Sequence, residues 1–480
     1  MRLGGSERET TRSAVEKKMT ENARRQKVAV ERRRVVLGAL AVLGCVASTW
    51  RSSGAQRSAP KIKEGNEGGK TQLLEIKDVD EVAKSDAPVD WFREDWNFDA
   101  DSFALPTAAL EAIDASLEAL AARLNSDGSL GSDSELFGRD PGVAGLCGLA
   151  FLAAGSAPGR GRFGGELEKI VGYILSQSFD AKKSSRRAVE TGIANYLREN
   201  DLTEEEVDGV VANFREKGRK PMYGHGFATL FLASILGAGT SGELPEIRER
   251  TRAAVELIVR AQNPDGGWRY EPRRVPVADL SVTVCQLSAL RAAKDAGIFI
   301  PNATIEKAVA YIKRCQNADG GFRYMTFDGP SGIARTAAAI LALQSGSADD
   351  SETVAAAFRY LEKAAPLATS GVAKRLTTKS SAQKEKESSV PTNEIPRLPT
   401  TRIEYYFYGE FYAAAAYWRA ARDAASKERW ARWARRAYPN LLSQRGDDGL
   451  WRSNVSTDAE TAFVLCALLT PFERTPFFLR

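Results

Sequence analysis

Histidine and cysteine are the scarcest of the chemically versatile residues in this sequence. One histidine, His225, occurs among 480 residues. A single imidazole excludes histidine-rich metal sites and relays of several imidazoles, and it leaves a Ser-His-Asp triad no choice of base. Four cysteines follow Cys45 without any CxxC pair: Cys147, Cys285, Cys315 and Cys466. A disulfide scaffold needs a shorter, more cysteine-rich chain, so we expect free, buried thiols.

An excess of one charge sign is also missing from most of the chain. Residues 1–34 hold eleven Lys/Arg against five Asp/Glu, while the whole sequence carries a net charge of +5, so the remainder is almost neutral. We therefore predict no nucleic-acid partner. The composition, 43% hydrophobic and 27% charged, excludes collagen-like, wholly disordered and polytopic membrane proteins.

The N-terminus has the composition of a targeting segment. The basic n-region 1–34 runs into the apolar stretch 35–50, which is shorter than the roughly 20 residues of a comfortable membrane span. This pattern is typical of a secretory signal peptide or an N-terminal anchor, with lipidation of Cys45 as a third alternative. Each alternative exports the rest of the chain to the periplasm or cell surface, and membrane contact would involve only this segment. Residues 51–104 are interpreted as a polar tether and lead-in.

A short motif recurs along the chain. RAQNPDGGWRYEP (260–272) and RCQNADGGFRYMT (314–326) align without a gap, SQRGDDGLWRS (443–453) is a third copy, and LNSDGSLGS (124–132) is a weaker one. We predict that the glutamine bonds the turn, that Asp-Gly-Gly supplies a positive φ, and that the aromatic residue wedges between helices. The residues concerned are Gln262 and Trp268, Gln316 and Phe322, Gln444 and Trp451.

Two kinds of helix alternate around these copies. The helix before a copy is amphipathic, with Ile305, Ala308 and Ile312 on one face, whereas the segment after it is apolar on all sides, as in ATLFLASIL (228–236). Six such pairs predict an all-α fold, an (α/α)6 toroid over 105–475, with inserts at 180–221 and 366–400. The first insert should contain a helix opened by the capping box Thr203-x-x-Glu206, and the second is expected to be disordered.

The Gln-x-x-x-Gly-Gly-Trp/Phe repeat resembles the squalene-cyclase "QW" repeat of the terpenoid cyclase and protein prenyltransferase α/α-toroid superfamily. The resemblance covers about 105–470 and implies a ring of inner and outer helices. The same ring hosts squalene and hopene cyclases, prenyltransferase β-subunits and the thioester domains of complement-like proteins. The activity must therefore be argued from the site and not from the fold.

The resemblance implies specific chemistries that can be sought in the sequence. Class-II cyclases protonate an alkene with a DxDD-type acid, and at the start of the third inner helix a single carboxylate, Asp279, stands in that place. Asp279 is most simply a helix N-cap, with a ligand contact or a proton donor as the alternatives, and Glu410 is a second candidate acid. The string Asp78-Val79-Asp80-Glu81 is interpreted as a solvated cluster in the tether.

The residues that the other chemistries of the superfamily require are missing from this sequence. Prenyltransferase β-subunits bind zinc through an Asp-x-Cys pair and a histidine, but Asp279 and Cys285 are six residues apart and cannot form that local pair. Neither the Asp-Asp-x-x-Asp diphosphate motif nor the Cys-Gly-Glu-Gln thioester signature occurs. We therefore predict no metal and no cofactor.

Aromatic and polar residues gather where inner helices begin. The segment 222–227 opens the second inner helix and 404–412 opens the fifth, and in a closed ring such starts converge on one end. The predicted ligand-binding residues are Tyr223, His225, Asp279, Tyr405, Tyr406, Tyr408 and Glu410. They suit an apolar, prenyl or cation-like molecule or an extended peptide, and the alternative is that they pack between helices.

Three hypotheses about function follow. The first is an exported, monomeric repeat protein that binds an apolar, isoprenoid or peptide ligand in its central cavity without acid or zinc chemistry. The second is an isoprenoid-transforming enzyme, similar to terpene cyclases, that uses Asp279 or Glu410 as a degenerate acid. The third is a structural scaffold at the cell surface.

Overall fold

The computed structural model describes residues 89–91, 93–132, 137–183, 192–214, 220–238, 245–327, 329–346, 352–364, 405–453 and 456–474. The chain divides into two units, Met1–Lys84 and Ser85–Arg480, and only the second contains described residues. The predicted n-region, the apolar segment and most of the tether therefore lie outside the described residues, as does the insert 366–400.

Thirteen α-helices form the described part of the second unit. The outer helices are α1 (Thr107–Ala122), α3 (Gly164–Ser176), α6 (Pro245–Arg260), α8 (Asn302–Arg314), α10 (Glu352–Ala364) and α12 (Ala424–Ser443). The inner helices are α2 (Pro141–Ala153), α5 (Pro221–Gly237), α7 (Leu280–Asp295), α9 (Ile333–Ser345), α11 (Tyr406–Ala420) and α13 (Thr457–Leu469). The remaining helix, α4 (Ile193–Asn200), belongs to the first insert.

The six inner helices close into a ring. Each inner helix packs against the next one in the order α2, α5, α7, α9, α11, α13, and α13 packs back against α2. An outer helix lies against the wall of this ring beside each of them, and the described residues contain isolated β-bridges but no strand. The predicted all-α toroid of six helix pairs is therefore confirmed.

Glycines allow the inner helices to approach closely. Every residue of α2 is buried. A Cβ atom on Gly142 would lie 2.5 Å from the Gly224 Cα of α5, and one on Gly145 would lie 3.2 Å from the Ala228 Cα. Because these helices are apolar on all sides, each of their faces must pack against another part of the protein and not face solvent.

The repeat glutamine joins one helix pair to the next. The Gln262 side-chain amide donates to the Gly266 carbonyl of its own turn at 2.8 Å and to the Thr304 carbonyl in α8 at 2.9 Å. In the next repeat Gln316 donates to Gly320 and to Thr353 in α10. The amide therefore satisfies carbonyls on two elements at once, as the sequence predicts for the turn.

The turn glycines touch the next outer helix with their backbone. Gly266 has a φ of +95°, and a Cβ there would lie 2.3 Å from the Lys307 carbonyl oxygen of α8. Gly320 has a φ of +85°, and a Cβ there would lie 2.5 Å from the Ala356 carbonyl oxygen of α10. Any side chain at these positions would strain the backbone and separate neighbouring pairs.

The repeat aromatics are buried, as predicted for wedges. Trp268, Phe322 and Trp451 have no exposed surface. The Trp268 indole N–H donates to the Ile258 carbonyl at 2.7 Å, and its backbone N–H donates to the Thr283 hydroxyl at 3.0 Å. The backbone N–H groups of Phe322 and Trp451 donate in the same way to the hydroxyls of the corresponding threonines in their own repeats, Thr336 and Thr461.

The last repeat closes the ring through different contacts. The Gln444 amide donates to the Asn440 carbonyl of its own helix and not to a neighbouring pair. Arg445 donates instead to the Ser116 hydroxyl of α1, and the Arg123 guanidinium at the end of α1 forms an ion pair with Asp458 of α13. In this copy Trp451 follows Gln444 by seven positions, one more than separates the glutamine and the aromatic residue in the other two copies.

The first insert differs from its prediction. Thr203 and Glu206 make the reciprocal capping-box bonds, but residues 204–209 form turns and the helix of the insert is α4, which precedes them. The chain cannot continue as a helix because Gly209 adopts a φ of +84° and its N–H donates to the Phe179 carbonyl.

The cysteines behave as predicted within the described residues. Cys147, Cys285, Cys315 and Cys466 are free and buried. None of the helices that the structure describes combines the length and apolar character needed to cross a membrane.

Replacing Trp268 by alanine should lower the free energy of unfolding by about 3–5 kcal/mol, because a fully buried aromatic side chain leaves a cavity. Trp268→Phe should cost less, since Phe322 fills the same position one repeat later. Chemical denaturation of both variants beside the parent protein measures the effect. An alanine variant as stable as the parent would contradict the wedge role.

Candidate functional site

The N-termini of the inner helices lie at one end of the ring, because all six run in the same direction between outer helices. Three of the predicted residues lie there together with a fourth: Tyr223 of α5, Asp279 before α7, Tyr324 in the turn before α9, and Tyr408 of α11. We call these four residues the mouth cluster. The Tyr324 carbonyl accepts the Leu280 N–H at 2.9 Å, which holds that turn beside Asp279.

Asp279 is the central ionisable group of the mouth cluster. It caps α7, with Oδ1 accepting the Val282 N–H at 2.9 Å, as predicted for an N-cap. Its Oδ2 atom is buried and makes no well-formed hydrogen bond within the described residues, although the Tyr324 hydroxyl lies close enough to affect its pKa. Burial raises the pKa of Asp279 to about 6, against the opposing effects of the Val282 N–H, the Arg269 guanidinium and the Tyr324 hydroxyl.

Aromatic side chains meet across the centre of the ring. The Phe227 ring of α5 and the Phe463 ring of α13 are 6.0 Å apart, although α2 separates these two helices in the ring. Tyr408 and Phe411 of α11 contact the same Phe463 ring at 5.7 and 5.2 Å. Phe227, Phe411 and Phe463 lie about one helical turn deeper than the mouth cluster, so they form its floor.

Tyr223 and Tyr408 lie above this floor, and we call the position between their side chains the recess. Both side chains keep accessible surface, yet burial raises the pKa of each hydroxyl. The charge of Asp279 raises both pKa values further, which places the carboxyl within electrostatic reach of α5 and α11. The Tyr408 hydroxyl makes no well-formed hydrogen bond within the described residues.

The repeat supplies cations and further tyrosines that were not singled out from the sequence. The Tyr270 and Tyr324 hydroxyls bond each other, the Arg269 guanidinium lies 4.7 Å from the Tyr270 ring centroid, and the Lys220 ammonium lies 4.0 Å from it. The pairs Arg269-Tyr270 and Arg323-Tyr324 occupy identical positions in the two aligned copies. That recurrence was the available signal.

His225 does not belong to the recess, contrary to the ligand-binding prediction. Its Nδ1 accepts the Val211 N–H and its Nε2 bonds the Ala254 carbonyl, each at 3.1 Å, so both ring nitrogens serve the backbone of the insert and of α6. Burial lowers the pKa of His225 to about 4, which keeps the ring neutral. The flanking Gly224 and Gly226 provide close helix packing and do not expose the imidazole.

Tyr406 and Glu410 of α11 also lie elsewhere, whereas Tyr405 is the N-cap residue of this helix and stays at the inner-helix N-terminal end. Tyr405 is 52% exposed, and the Tyr406 hydroxyl bonds the Asn440 amide of α12. Glu410 Oε2 accepts the Trp433 indole N–H at 3.1 Å, and burial raises its pKa although the Arg436 guanidinium opposes this shift. These contacts point Tyr406 and Glu410 towards the outer helix and away from the recess.

Other candidate sites are weaker. No group of three or more His, Cys, Asp or Glu side chains within the described ranges is arranged to hold a metal ion. A surface pocket of about 390 Å³ lies on the outer wall, where α6 meets the segment after α7, and Phe299 and Arg252 are among the residues that line it. The acid in its lining, Glu256, is exposed.

Comparisons with known proteins agree with the ring and its repeats. Residues 231–374 match the family model of the squalene-hopene cyclase C-terminal domain. A drimenyl diphosphate synthase of Streptomyces showdoensis is 28% identical over 223 residues, which cover 43% of this chain and 40% of that protein. A drimenyl diphosphate synthase of Streptantibioticus cattleyicolor is 32% identical over 149 residues, which cover 28% of this chain and 27% of that protein.

These matches therefore span less than half the length of either relative. The part of the chain that matches the family model contains α7, α9 and the two best copies of the repeat. Together with the closed ring of six helix pairs, they support the resemblance to the terpenoid cyclase superfamily.

Proposed function

We propose that this protein is an isoprenoid-transforming enzyme in which Asp279 protonates a carbon–carbon double bond of an apolar substrate bound in the recess. The observation that carries the proposal is the Asp279 carboxyl, which is fully buried, has one oxygen fixed by the capping bond and has the other without a well-formed hydrogen bond within the described residues. A general acid needs its proton on an oxygen that the substrate can reach.

The surroundings of Asp279 suit both the neutral acid that exists before the proton transfer and the carboxylate that exists after it. Before the transfer, burial favours the neutral acid, so an appreciable fraction carries a proton near neutral pH. After it, the carboxylate is stabilised by the Val282 N–H, by the positive end of α7 and by the nearby Arg269 guanidinium. The proton is carried by Oδ2, because Oδ1 accepts the capping bond.

The floor of the recess suits the cation that protonation creates. Phe227, Phe411 and Phe463 present aromatic rings in the centre of the ring, and aromatic faces attract positive charge. Tyr408 connects this floor to the acid, because its ring contacts Phe463 and its hydroxyl lies within electrostatic reach of Asp279. The names of the matched family and relatives, squalene-hopene cyclase and drimenyl diphosphate synthase, support a linear isoprenoid as the substrate class.

A second candidate function is ligand binding without chemistry. It is favoured by the capping bond of Asp279, which alone gives this residue a structural role, and by the aromatic contacts that occupy the ring centre. In that case the recess would hold an apolar, prenyl or peptide ligand, or serve only as the core of a scaffold, and the asparagine variant described below would retain full function.

We further propose, from the basic and then apolar N-terminus alone, that the protein is exported. Residues 32–34 are all arginine and lead directly into the apolar stretch 35–50. Fractionation of cells that express the full-length chain should recover the protein outside the cytosol. Recovery of the intact chain from the cytosolic fraction alone would contradict this proposal.

Asp279→Asn should abolish catalysis without loss of stability, because asparagine caps a helix as well as aspartate does but cannot donate an acidic proton. The full-length protein is incubated in D2O with squalene and with farnesyl diphosphate, and products are measured by mass spectrometry. The parent should yield a cyclised product with one deuterium on carbon, and the variant should lose roughly a hundredfold or more of this activity.

Asp423→Asn is the matched control, since Asp423 caps the outer helix α12 through the same type of bond. The Asp423→Asn variant should cyclise the same substrates at the rate of the parent protein. An Asp279→Asn variant with parental activity would contradict the proposed acid.

The pKa of Asp279 also predicts how stability depends on pH. Because the folded-state value is raised from 3.8 to about 6, the folded protein holds the proton more tightly, and stability falls as pH rises through this window. Relative to Asp279→Asn, the parent should lose about 2 kcal/mol of unfolding free energy between pH 4 and pH 7. Denaturant titrations of both proteins at the two pH values provide the measurement, and parallel stabilities would contradict the raised pKa.

A further inference from the structure

A second buried acid, Glu460, lies at the same end of the ring as Asp279. Glu460 belongs to the first turns of α13 and is 2% exposed. The Trp451 N–H donates to the Thr461 hydroxyl just as the Trp268 N–H donates to the Thr283 hydroxyl. The shared bond makes Thr461 equivalent to Thr283, so Glu460, which precedes Thr461, is equivalent to Val282. The N–H of Val282 is the group that Asp279 caps.

Glu460 shares the side of α13 that faces the centre of the ring. It precedes Phe463 by three residues, and residues three apart lie on one face of a helix. Phe463 contacts Phe227 of α5, which lies beyond the neighbouring helix α2. Because α7 and α13 are the third and sixth of six inner helices, Asp279 and Glu460 stand on opposite walls at the same end.

The fold makes no structural use of one oxygen of Glu460. Oε1 accepts the Ser453 hydroxyl at 2.6 Å, while Oε2 is buried and makes no hydrogen bond within the described ranges. Its neighbour Asp458 differs, because the Arg123 guanidinium pairs with it and closes the ring. Burial raises the pKa of Glu460 to about 7, against the opposing Ser453 bond.

We propose that Glu460 is the proton acceptor that ends the reaction begun by Asp279. This inference rests on the proposed function. The Asp279 O–H bond breaks, its proton forms a C–H bond with one alkene carbon, and the π electrons of that alkene leave a carbocation. The Glu460 carboxylate then takes a proton from a carbon beside the final cation, and the C–H electrons form a new double bond.

The two steps balance without an oxidant or a reductant. One proton enters the substrate from Asp279 and one leaves it to Glu460, so the substrate is isomerised. Exchange with water afterwards reprotonates Asp279 and deprotonates Glu460. Positions on opposite walls suit Asp279 and Glu460, because the acid that starts a cyclisation and the base that ends it act on different carbons.

Glu460→Gln tests the assignment with the same probes, squalene and farnesyl diphosphate in D2O. Glutamine cannot take the proton, so water should capture the cation and the ratio of alkene to alcohol product should fall roughly tenfold or more. Deuterium should still enter the product, because Asp279 is unchanged. Glu460→Asp keeps a carboxylate and should restore part of the alkene fraction.

Circular dichroism melting shows whether each variant is folded. If Glu460→Gln does not fold, Ser453→Ala replaces it; this change removes the hydroxyl that positions Oε1 and should lower the alkene fraction in the same direction. An unchanged alkene fraction in the folded variant overturns the role of Glu460 while Asp279→Asn remains inactive. Cyclisation that survives Asp279→Asn, or its absence in the parent, overturns the proposed function itself.

Discussion

The backbone contact between each repeat turn and the following outer helix is the constraint on which the rest of the structure depends. At Gly266 and Gly320 a positive φ and the missing side chain let the turn touch the carbonyl oxygens of the next pair. The amides of Gln262 and Gln316 bond the same two elements. Because each contact fixes one pair relative to the next, repetition of the contact generates a ring and not a loose array.

The ring in turn places the chemistry. All inner helices start at one end, so positive helix ends and short polar residues collect there, while the apolar remainder of each helix is buried on every side. Asp279 and Glu460 are the described acids that combine a start-of-helix position on the inner wall with an unbonded, buried oxygen. Their raised pKa values follow from this burial. The fold thus holds two buried carboxyls with raised pKa values beside aromatic faces.

The sequence predicted the fold well because the repeat is local. The turn and the wedge at Trp268 lie within the motif 260–272, and the two kinds of helix directly flank it. It predicted the site less well because side-chain direction around a closed ring depends on contacts between distant repeats. His225 was expected in the recess, but its imidazole faces the backbone of the insert. Glu410 was expected there too and bonds Trp433, whereas Glu460 was overlooked although it sits one residue before a repeat threonine.

The central claim is that Asp279 is a buried, protonatable acid in the ring, and its own titration tests this most directly. The measurement is a carbon-13 NMR titration of protein labelled at aspartate side-chain carboxyl carbons, with Asp279→Asn used to assign the resonance. The account predicts a midpoint near 6, the value to which burial raises this pKa. A midpoint at or below 3.8, the ordinary value for aspartate, would show a solvated carboxylate and contradict the account.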